Sequence, residues 1–404
     1  MVPYSLYFHI PFCKKRCGYC DFISTAGRES AIPKYVDAIC QEIRLLGNSA
    51  PLPLEIHTLF FGGGTPSLLP ISDIQQILDA VTKSFSVQPG CEISLEANPC
   101  TVTLEYLKGL FVSGINRLSL GMQSANPDDL RLLQRIHTHA DLIYAVDSAR
   151  TAGFTNINLD LIYGIPYQTL DRWQYSVDEA LKLQPQHLSL YALTVEPGTK
   201  LHNQVANHSI PAPDDDLAAD MYEWADQYLS KNNYTQYEIS NWALNKSDGV
   251  FYACRHNLQY WHNLPYLGFG AAAHGSACQH RMANEPDMET YINFFINPEN
   301  KLAFPFSPAN KEINPIDRIT EMQETMMVGL RLTREGVNKE MFQDRFNIPL
   351  DQVFGEKIKL LMQAKLVEWA LENPDILRLT KYGRLLGNRV FREFVGDNER
   401  SPGL

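Results

Sequence analysis

Short runs of β-branched and aromatic residues alternate with longer helix-period segments through the first half of the chain. This alternation is typical of βαβ units and a parallel sheet. The predicted strands are Tyr4–His9, Ile56–Phe61, Glu92–Glu96, Arg117–Leu120, Asn156–Leu161 and His187–Tyr191. The predicted helices between them are Pro33–Leu46, Ile71–Phe85, Thr103–Val112, Asp128–Ala152 with a break, and Leu170–Leu183. Right-handed crossovers would wrap these units into a partial (β/α)6, TIM-like barrel of the α/β class.

Polar and glycine-rich elements follow the predicted strands. The segment 9–20 comes after the first strand and the run 62–66 after the second, while Glu96 closes the third. Gln123 trails the fourth strand and Asp160 lies near the end of the fifth. Because the carboxyl ends of the strands form the working face of such barrels, we expect one mouth to collect all of these residues.

Three cysteines, Cys13, Cys17 and Cys20, stand in a C-x3-C-x2-C run directly after the first predicted strand, with no fourth cysteine nearby. A four-iron cluster that only transfers electrons takes four thiolates, so three thiolates leave one iron open to a small molecule. The spacing therefore predicts chemistry or ligand sensing at a cluster. The alternatives are a zinc site completed by His9, or three incidental buried thiols.

The second feature is the glycine run Gly62-Gly63-Gly64-Thr65-Pro66. Glycines let the backbone approach a ligand closely and expose its N–H and C=O groups, which suits a ligand with an ammonium and a carboxylate. The run is no P-loop, since the lysine is missing, and it does not fit G-x-G-x-x-G. A tight strand-to-helix turn is the structural alternative.

Composition limits the classes of partner and compartment. At 404 residues and 45% hydrophobic content, the chain has room for one large domain and a smaller one. A net charge of -11, with scattered lysines and arginines, argues against nucleic acid as a partner. Eight cysteines, three of them clustered, do not resemble a secreted disulfide framework and favour a reducing cytoplasm. No apolar run is long enough to cross a bilayer, and peripheral membrane contact stays open.

The second half of the chain divides by composition. We predict a barrel core over 1–200, an aromatic-rich extension over 201–296, a proline-rich linker over 297–316 and a C-terminal domain over 317–404. In the last domain, predicted helices at Asp317–Leu332, Lys339–Phe346 and Leu350–Gln363 precede strands at Leu366–Trp369 and Leu377–Thr380. This order indicates a mostly helical, winged-helix-like domain. Balanced charge on its last helix argues against DNA reading and favours a packing or lid role.

Several motifs together resemble radical S-adenosylmethionine (SAM) proteins of the oxygen-independent coproporphyrinogen oxidase group. They are the segment 7–13 with the cysteine run, the glycine run, Ser94-Leu95-Glu96, the segments 116–124 and 158–166, and Arg135. The resemblance covers most of the chain. It implies a [4Fe-4S] cluster on Cys13, Cys17 and Cys20 whose open iron holds the amino and carboxylate groups of SAM.

The resemblance also implies a set of residues around the nucleotide. By position they are Tyr7, Tyr19, Gly63, Gly64, Thr65, Glu96, Gln123, Arg135 and Asp160. Their chemistry suits these roles, because Glu96 can accept from an ammonium or lie near a sulfonium, and Arg135 can pair with a carboxylate. Asp160 can accept from ribose hydroxyls, and Tyr19 can stack on adenine.

Within the group, the oxidases carry one more cysteine two residues beyond the third, and an N-terminal extension. Here Phe22 occupies that position and six residues precede Tyr7. The chain instead resembles the heme-chaperone members, whose H-N-x-x-Y-W motif associated with heme binding is matched by His256, Asn257, Tyr260 and Trp261. An imidazole can ligate heme iron, and the two aromatic rings can pack on the porphyrin.

Other interpretations of this region remain open. A histidine among aromatic residues is often a hydrogen-bonded core residue. Cys254 is an alternative iron ligand or a thiol that reacts with a heme vinyl group, and His262 and His274 are candidates for a second iron ligand.

The resemblance implies a protein that binds heme and passes it to acceptor hemoproteins, respiratory ones in particular. The cluster and SAM would control transfer or oligomeric state, with a homodimer as one state, and no classical turnover or catalytic residue is assigned. The rival is an enzyme, an oxygen-independent coproporphyrinogen III dehydrogenase, which decarboxylates its substrate with a 5'-deoxyadenosyl radical. A zinc or redox scaffold without a nucleotide is a third class.

Overall fold

A single twelve-stranded sheet dominates the computed structural model, which describes residues 2–245, 249–296 and 302–395. The strands of the chain are β1 (Tyr4–Ile10), β2 (Phe12–Cys13), β3 (Thr25–Ala26), β4 (Glu55–Gly63), β5 (Ser86–Ala97), β6 (Arg117–Gln123), β7 (Ile157–Tyr163), β8 (His187–Ala192), β9 (Tyr234–Glu238), β10 (Asn241–Leu244), β11 (Tyr266–Phe269), β12 (His274–Ala277), β13 (His280–Asn284), β14 (Asn310–Pro315), β15 (Val337–Asn338), β16 (Val367–Ala370) and β17 (Asn373–Leu379).

The helices cover the outside of the sheet and build the C-terminal part. They are α1 (Ile32–Ser49), α2 (Ile71–Ser84), α3 (Leu104–Val112), α4 (Pro127–Leu132), α5 (His139–Ala152), α6 (Leu170–Lys182), α7 (Lys200–Ala206), α8 (Asp215–Lys231), α9 (Arg255–Trp261), α10 (Met288–Phe294), α11 (Arg318–Gly329), α12 (Lys339–Phe346), α13 (Leu350–Gln363), α14 (Lys381–Leu385) and α15 (Gly387–Arg392). The break expected between 128 and 152 separates α4 from α5.

Six neighbouring strands, β1, β4, β5, β6, β7 and β8, run parallel and form the barrel. This confirms the predicted partial (β/α)6 barrel of the α/β class. The strands are buried on both faces, as all seven residues of β6 show, because helices such as α1 pack their apolar side on the sheet. The register aligns Ile10 with Gly63 and Gly121 with Asp160, so the carboxyl ends of the strands meet at one edge.

The extension after the barrel adds strands to both edges of the sheet. Strands β10 and β9 continue beyond β8, while β11, β12, β13 and β14 continue beyond β1. The proline-rich segment 297–316 differs from the expected plain linker, since Asn310–Pro315 pairs with β13 as the outermost strand. An edge strand tolerates proline because one row of its N–H groups needs no partner in the sheet. Residues 297–301 of that segment lie outside the described residues.

One buried carboxylate fastens this extension to the barrel. Glu42 of α1 accepts hydrogen bonds from the Gly270 N–H at 3.0 Å, Asn284 Nδ2 at 2.9 Å, and the hydroxyls of Tyr291 and Ser307 at 2.6 Å each. The four donors come from four places: the turn after β11, the end of β13, α10 and the segment before β14. The turn before β12 is therefore fixed against the first helix of the barrel.

The C-terminal part has a core of its own, with α11, α12 and α13 packed against the small sheet β15-β17-β16. The helices and the hairpin agree with the expected mostly helical, winged-helix-like domain. The hairpin turn lies between Ala370, where β16 ends, and Asn373, where β17 begins, so β17 starts four residues before the predicted Leu377. Residues 396–404 of the predicted domain lie outside the described residues.

Candidate functional site

The three clustered cysteines lie on one loop at the carboxyl edge of the barrel. Cys13 ends β2, and its Sγ lies 3.5 Å from Thr65 Oγ1, while Arg135 Nη1 lies 3.6 Å from Cys17 Sγ. Burial raises the pKa of the Cys20 thiol, and the nearby thiols of Cys17 and Cys13 raise it further. All three are free thiols, and Cys17 lies beside a guanidinium, so the donor set fits an iron-sulfur cluster.

The zinc alternative finds no support in the position of His9. Its ring Nε2 lies 2.8 Å from the Ile23 carbonyl oxygen and its Nδ1 lies 3.2 Å from the Tyr7 hydroxyl. Both nitrogens are therefore engaged away from the thiols. Within the described ranges, no three His, Cys, Asp or Glu side chains are grouped to hold a single metal ion. A cluster differs in this respect, because each thiolate binds a separate iron.

The glycine run forms a turn that packs directly against the cysteine loop. The Gly64 N–H donates to the Ile10 carbonyl and the Thr65 N–H donates to the Phe12 carbonyl, each at 2.8 Å. A Cβ on Gly64 would lie 2.7 Å from the Phe12 oxygen, and Gly63 has φ +105°. Only glycine fits both positions, so the backbone itself lines this side of the site.

Glu96, at the end of β5, is the acidic group of the site. Its Oε2 accepts from the Gly63 N–H at 3.2 Å. Burial, followed by the repulsion of the Asp160 carboxylate, raises the pKa of Glu96 to about 8. A desolvated carboxylate of this kind is stabilised by a cation placed beside it, such as the ammonium of an amino-acid ligand.

Arg135 is the basic group of the site and lies beside β6 and the cysteine loop. Its guanidinium donates to the Gly121 carbonyl at 3.1 Å and to Cys17 Sγ at 3.6 Å. Tyr19 is half-buried beside it, and desolvation raises the pKa of the Tyr19 phenol. Gln123 holds φ 63° at the end of β6, an uncommon backbone conformation for a residue with a side chain.

Asp160 lies deeper, inside the barrel on β7. It accepts from Ser119 Oγ at 2.9 Å and from Asn158 Nδ2 at 2.8 Å. A carboxylate has about four acceptor positions, so these two bonds leave it capacity for a further donor. The predicted SAM residues thus lie near one end of the barrel. Asp160 is fixed there by hydrogen bonds from Ser119 and Asn158.

The predicted heme motif forms α9, whose N-terminus is capped by a side chain from the barrel. Glu92 accepts from the backbone N–H groups of Arg255 and His256, each at 3.1 Å. His256 is only 1% exposed. Its Nδ1 lies 2.8 Å from Thr58 Oγ1 and its Nε2 lies 2.8 Å from the Tyr260 hydroxyl. Burial lowers the pKa of His256 to about 3, so the ring is neutral.

The other residues proposed around heme differ in position. Asn257 is half-buried on α9, while Tyr260 and Trp261 reach a cavity next to the barrel mouth. Cys254 is fully buried, and burial raises its pKa to about 12. His262 forms an ion pair with Glu335 at 2.8 Å.

The cavity has a volume of about 520 Å³, within the range of ligand pockets. Tyr7, His9, Tyr260 and Trp261 line it together with residues of the extension and of the cysteine loop. Among those further residues are Asp21, Phe22, Ile23, Tyr266, His274, Ser276, Arg281 and Val328. Sequence reasoning missed the cavity role of Phe22 and Arg281, because no local pattern marks them. Only the pairing of β12 with β13 brings Arg281 to this place.

No helix in the part of the chain that the structure describes is long and apolar enough to cross a membrane. 

The chain is similar in sequence and in fold to several known proteins. Residues 7–180 match the Radical SAM superfamily and residues 316–386 match the HemN C-terminal domain. The chain is 34% identical to the heme chaperone HemW of Bacillus subtilis, over 97% of this chain and 99% of that protein. It is also 34% identical to the heme chaperone HemW of Haemophilus influenzae, over 97% and 98%. In fold it is similar to coproporphyrinogen III oxidase (HemN) from Escherichia coli, with TM-score 0.81 and 23% identity over 97% of this chain and 90% of that one.

Proposed function

This chain belongs to the HemW family of radical SAM proteins, and we propose that it is a heme chaperone whose heme site is the cavity between α9 and the barrel mouth. The observation that carries this placement is the cavity itself, with Tyr260 and Trp261 of the motif among its walls. Flat aromatic side chains suit a porphyrin face. His256 supports the wall from behind, since its Nε2 holds the Tyr260 hydroxyl at 2.8 Å.

Beside the cavity, Cys13, Cys17 and Cys20 would hold a [4Fe-4S] cluster, and SAM would lie along the carboxyl edge of the barrel. The cluster supplies an open iron for the amino and carboxylate groups of SAM. Glu96 would stabilise the ammonium and Arg135 the carboxylate, because each is half-buried and its ionised form has the sign that the ligand group requires. The backbone of the glycine turn, with Tyr7, Tyr19, Gln123 and Asp160, would position the rest of the nucleotide.

The cluster loop and the heme cavity share a wall, and this supports control of heme transfer by the cluster. The residues that follow Cys20, from Asp21 to Ile23, line the cavity. The Ile23 carbonyl accepts from His9, which also lines it. A change in the position of the loop on loading or losing the cluster would therefore alter the cavity.

We extend the proposal to a cytoplasmic protein that serves respiratory hemoproteins and forms a homodimer in one of its states. The large exposed side chains of Phe22 and Ile23 at the cavity supply an apolar contact surface for an acceptor, for a second copy of the chain or for a membrane. Size measurements on cluster-loaded and cluster-free protein, and co-sedimentation with vesicles, test these assignments separately. A monomer in every loading state would remove the homodimer from the proposal.

The decisive experiment is anaerobic reconstitution of the full chain with iron and sulfide, followed by two assays on one sample. Heme absorbance that survives gel filtration and moves to an added apo-hemoprotein supports the proposal. Turnover of coproporphyrinogen III without heme retention would replace it with the oxidase reaction. Substitution of the exposed Cys278 by alanine serves as a control for general effects of cysteine loss.

A further inference from the structure

The iron of heme needs a ligand with a free lone pair, and the His256 ring does not offer one in this structure. Both of its nitrogens lie 2.8 Å from a hydroxyl partner, Thr58 on one side and Tyr260 on the other. The ring is also stacked on Phe60, with centroids 5.1 Å apart. To reach iron, His256 would have to leave the core and abandon two hydrogen bonds, which is costly for buried polar groups.

A second histidine of the cavity has the opposite properties. His274 begins β12, is exposed, and lines the cavity from the side facing α9 and the cysteine loop. Among the described residues, no hydrogen bond to its ring is found. An imidazole without a partner in the protein can offer a ring nitrogen to a metal ion.

A cationic side chain, that of Arg281, lies on the same face of the β12–β13 hairpin as His274. Arg281 of β13 is opposite Ser276, and His274 is two residues before Ser276, so all three side chains share one face of the sheet. All three line the cavity. Arg281 pairs with Glu324 of α11 at 2.9 Å, and its side chain is still 42% exposed. Such a guanidinium can bind a carboxylate through two parallel hydrogen bonds.

We propose that His274 is an axial ligand of the heme iron and that Arg281 binds a heme carboxylate. This inference rests on the proposed heme-chaperone function. It makes His274 of β12 the iron ligand, in place of His256 of α9. The geometry gives the cavity the three things that heme requires: aromatic walls, an imidazole with a free nitrogen and a cation for the propionates.

The test uses full-length, anaerobically reconstituted protein loaded with ferric heme, and compares absorption and electron paramagnetic resonance spectra. In His274→Ala we expect loss of the imidazole-ligated spectrum and at least tenfold weaker heme retention. Added free imidazole should restore the spectrum, because it can enter the space that the side chain leaves. His280→Ala, in the same hairpin but outside the cavity lining, is the matched control and should keep the wild-type spectrum.

Arg281→Gln tests the carboxylate contact separately. We expect about 10- to 100-fold weaker retention of heme, the range of a charge-assisted pair. Heme dimethyl ester, which lacks the charges, should bind wild type and variant alike.

The outcomes distinguish this inference from the function on which it rests. Wild-type protein that never retains heme would refute the proposed function itself. Wild-type retention with an unchanged spectrum in His274→Ala would overturn the ligand assignment alone. Loss of the spectrum in a folded His256→Ala protein, restored by imidazole, would return the iron to α9. Equal preference of wild type and Arg281→Gln for heme over its dimethyl ester would overturn the carboxylate contact.

Discussion

Replacing Glu42 by glutamine tests the hydrogen bonds that hold the β12–β13 hairpin, which lines the cavity, to the barrel. Oε1 of Glu42 accepts from Asn284 and Ser307, and Oε2 accepts from Gly270 and Tyr291. Glutamine keeps one accepting oxygen and turns the other into a donor. The hydroxyls of Ser307 and Tyr291 can rotate to accept from that new donor. The Gly270 N–H and the Asn284 amide cannot, so either orientation of glutamine leaves one fixed donor without an acceptor.

One buried unsatisfied donor costs about 1–3 kcal/mol, and the remaining bonds lose the assistance of the negative charge. We therefore expect Glu42→Gln to lower the free energy of unfolding by about 2–4 kcal/mol. Tyr291→Phe removes one donor and leaves the carboxylate three others, so it should cost about 1–2 kcal/mol. Urea unfolding followed by tryptophan fluorescence measures both, provided that the slope of the transition is unchanged.

A Glu42→Gln protein within about 0.5 kcal/mol of wild type would refute this reasoning. Such a result would mean that Glu42 is already protonated in the folded protein. That possibility has a physical basis, because burial raises the pKa of Glu42 in spite of the four hydrogen bonds. The cluster of donors would then be a network of neutral groups, and the carboxylate would not be the anchor of the extension.

Three further predictions concern the site itself. Cys17→Ala should abolish the iron-sulfur absorbance after anaerobic reconstitution while Cys278→Ala retains it, and equal spectra would remove the cluster from this loop. Gly63→Ala should weaken SAM binding at least tenfold in equilibrium dialysis, because its φ of +105° strains any side chain; unchanged affinity would show that the turn adapts. The pKa of His256 lies near 3 in the folded protein, so the unfolded chain takes up a proton first as pH falls below about 6.5. Stability should fall by about 1.4 kcal/mol per pH unit from this residue, and His256→Asn should show a shallower pH slope in urea unfolding.

The barrel was predictable because its strands are buried on both faces. Such strands are rich in leucine, isoleucine and aromatic residues, and all six were found within a few residues of their ends, although β5 begins six residues before the predicted Glu92. The strands of the extension were not predicted as a sheet. Strand β11 pairs with β1, which lies at the other end of the barrel sequence, and no local pattern records such a partner.

The site shows the same limit at the level of single residues. The proximity of the cysteine loop and the glycine run could be predicted, because each is contiguous and follows one of two neighbouring parallel strands. The state of His256 could not, because its Nδ1 partner Thr58 is 198 residues away in the chain. Contacts between residues far apart in the sequence decide whether a histidine nitrogen is free to bind a metal or is engaged in a hydrogen bond.

The cavity proposed for heme is not a property of the barrel alone, since the C-terminal part contributes to its wall. Val328 lines it from α11, and Glu324 of the same helix holds Arg281 at 2.9 Å. The guanidinium of Arg331 lies 4.5 Å from the centre of the Trp261 ring, so the end of α9 is covered from the same side. Arg345 donates to the Asn263 carbonyl at 2.8 Å and fixes the turn after α9. If heme binds in this cavity as proposed, these contacts make the C-terminal domain one wall of its site, and separating them would be one route by which heme enters or leaves.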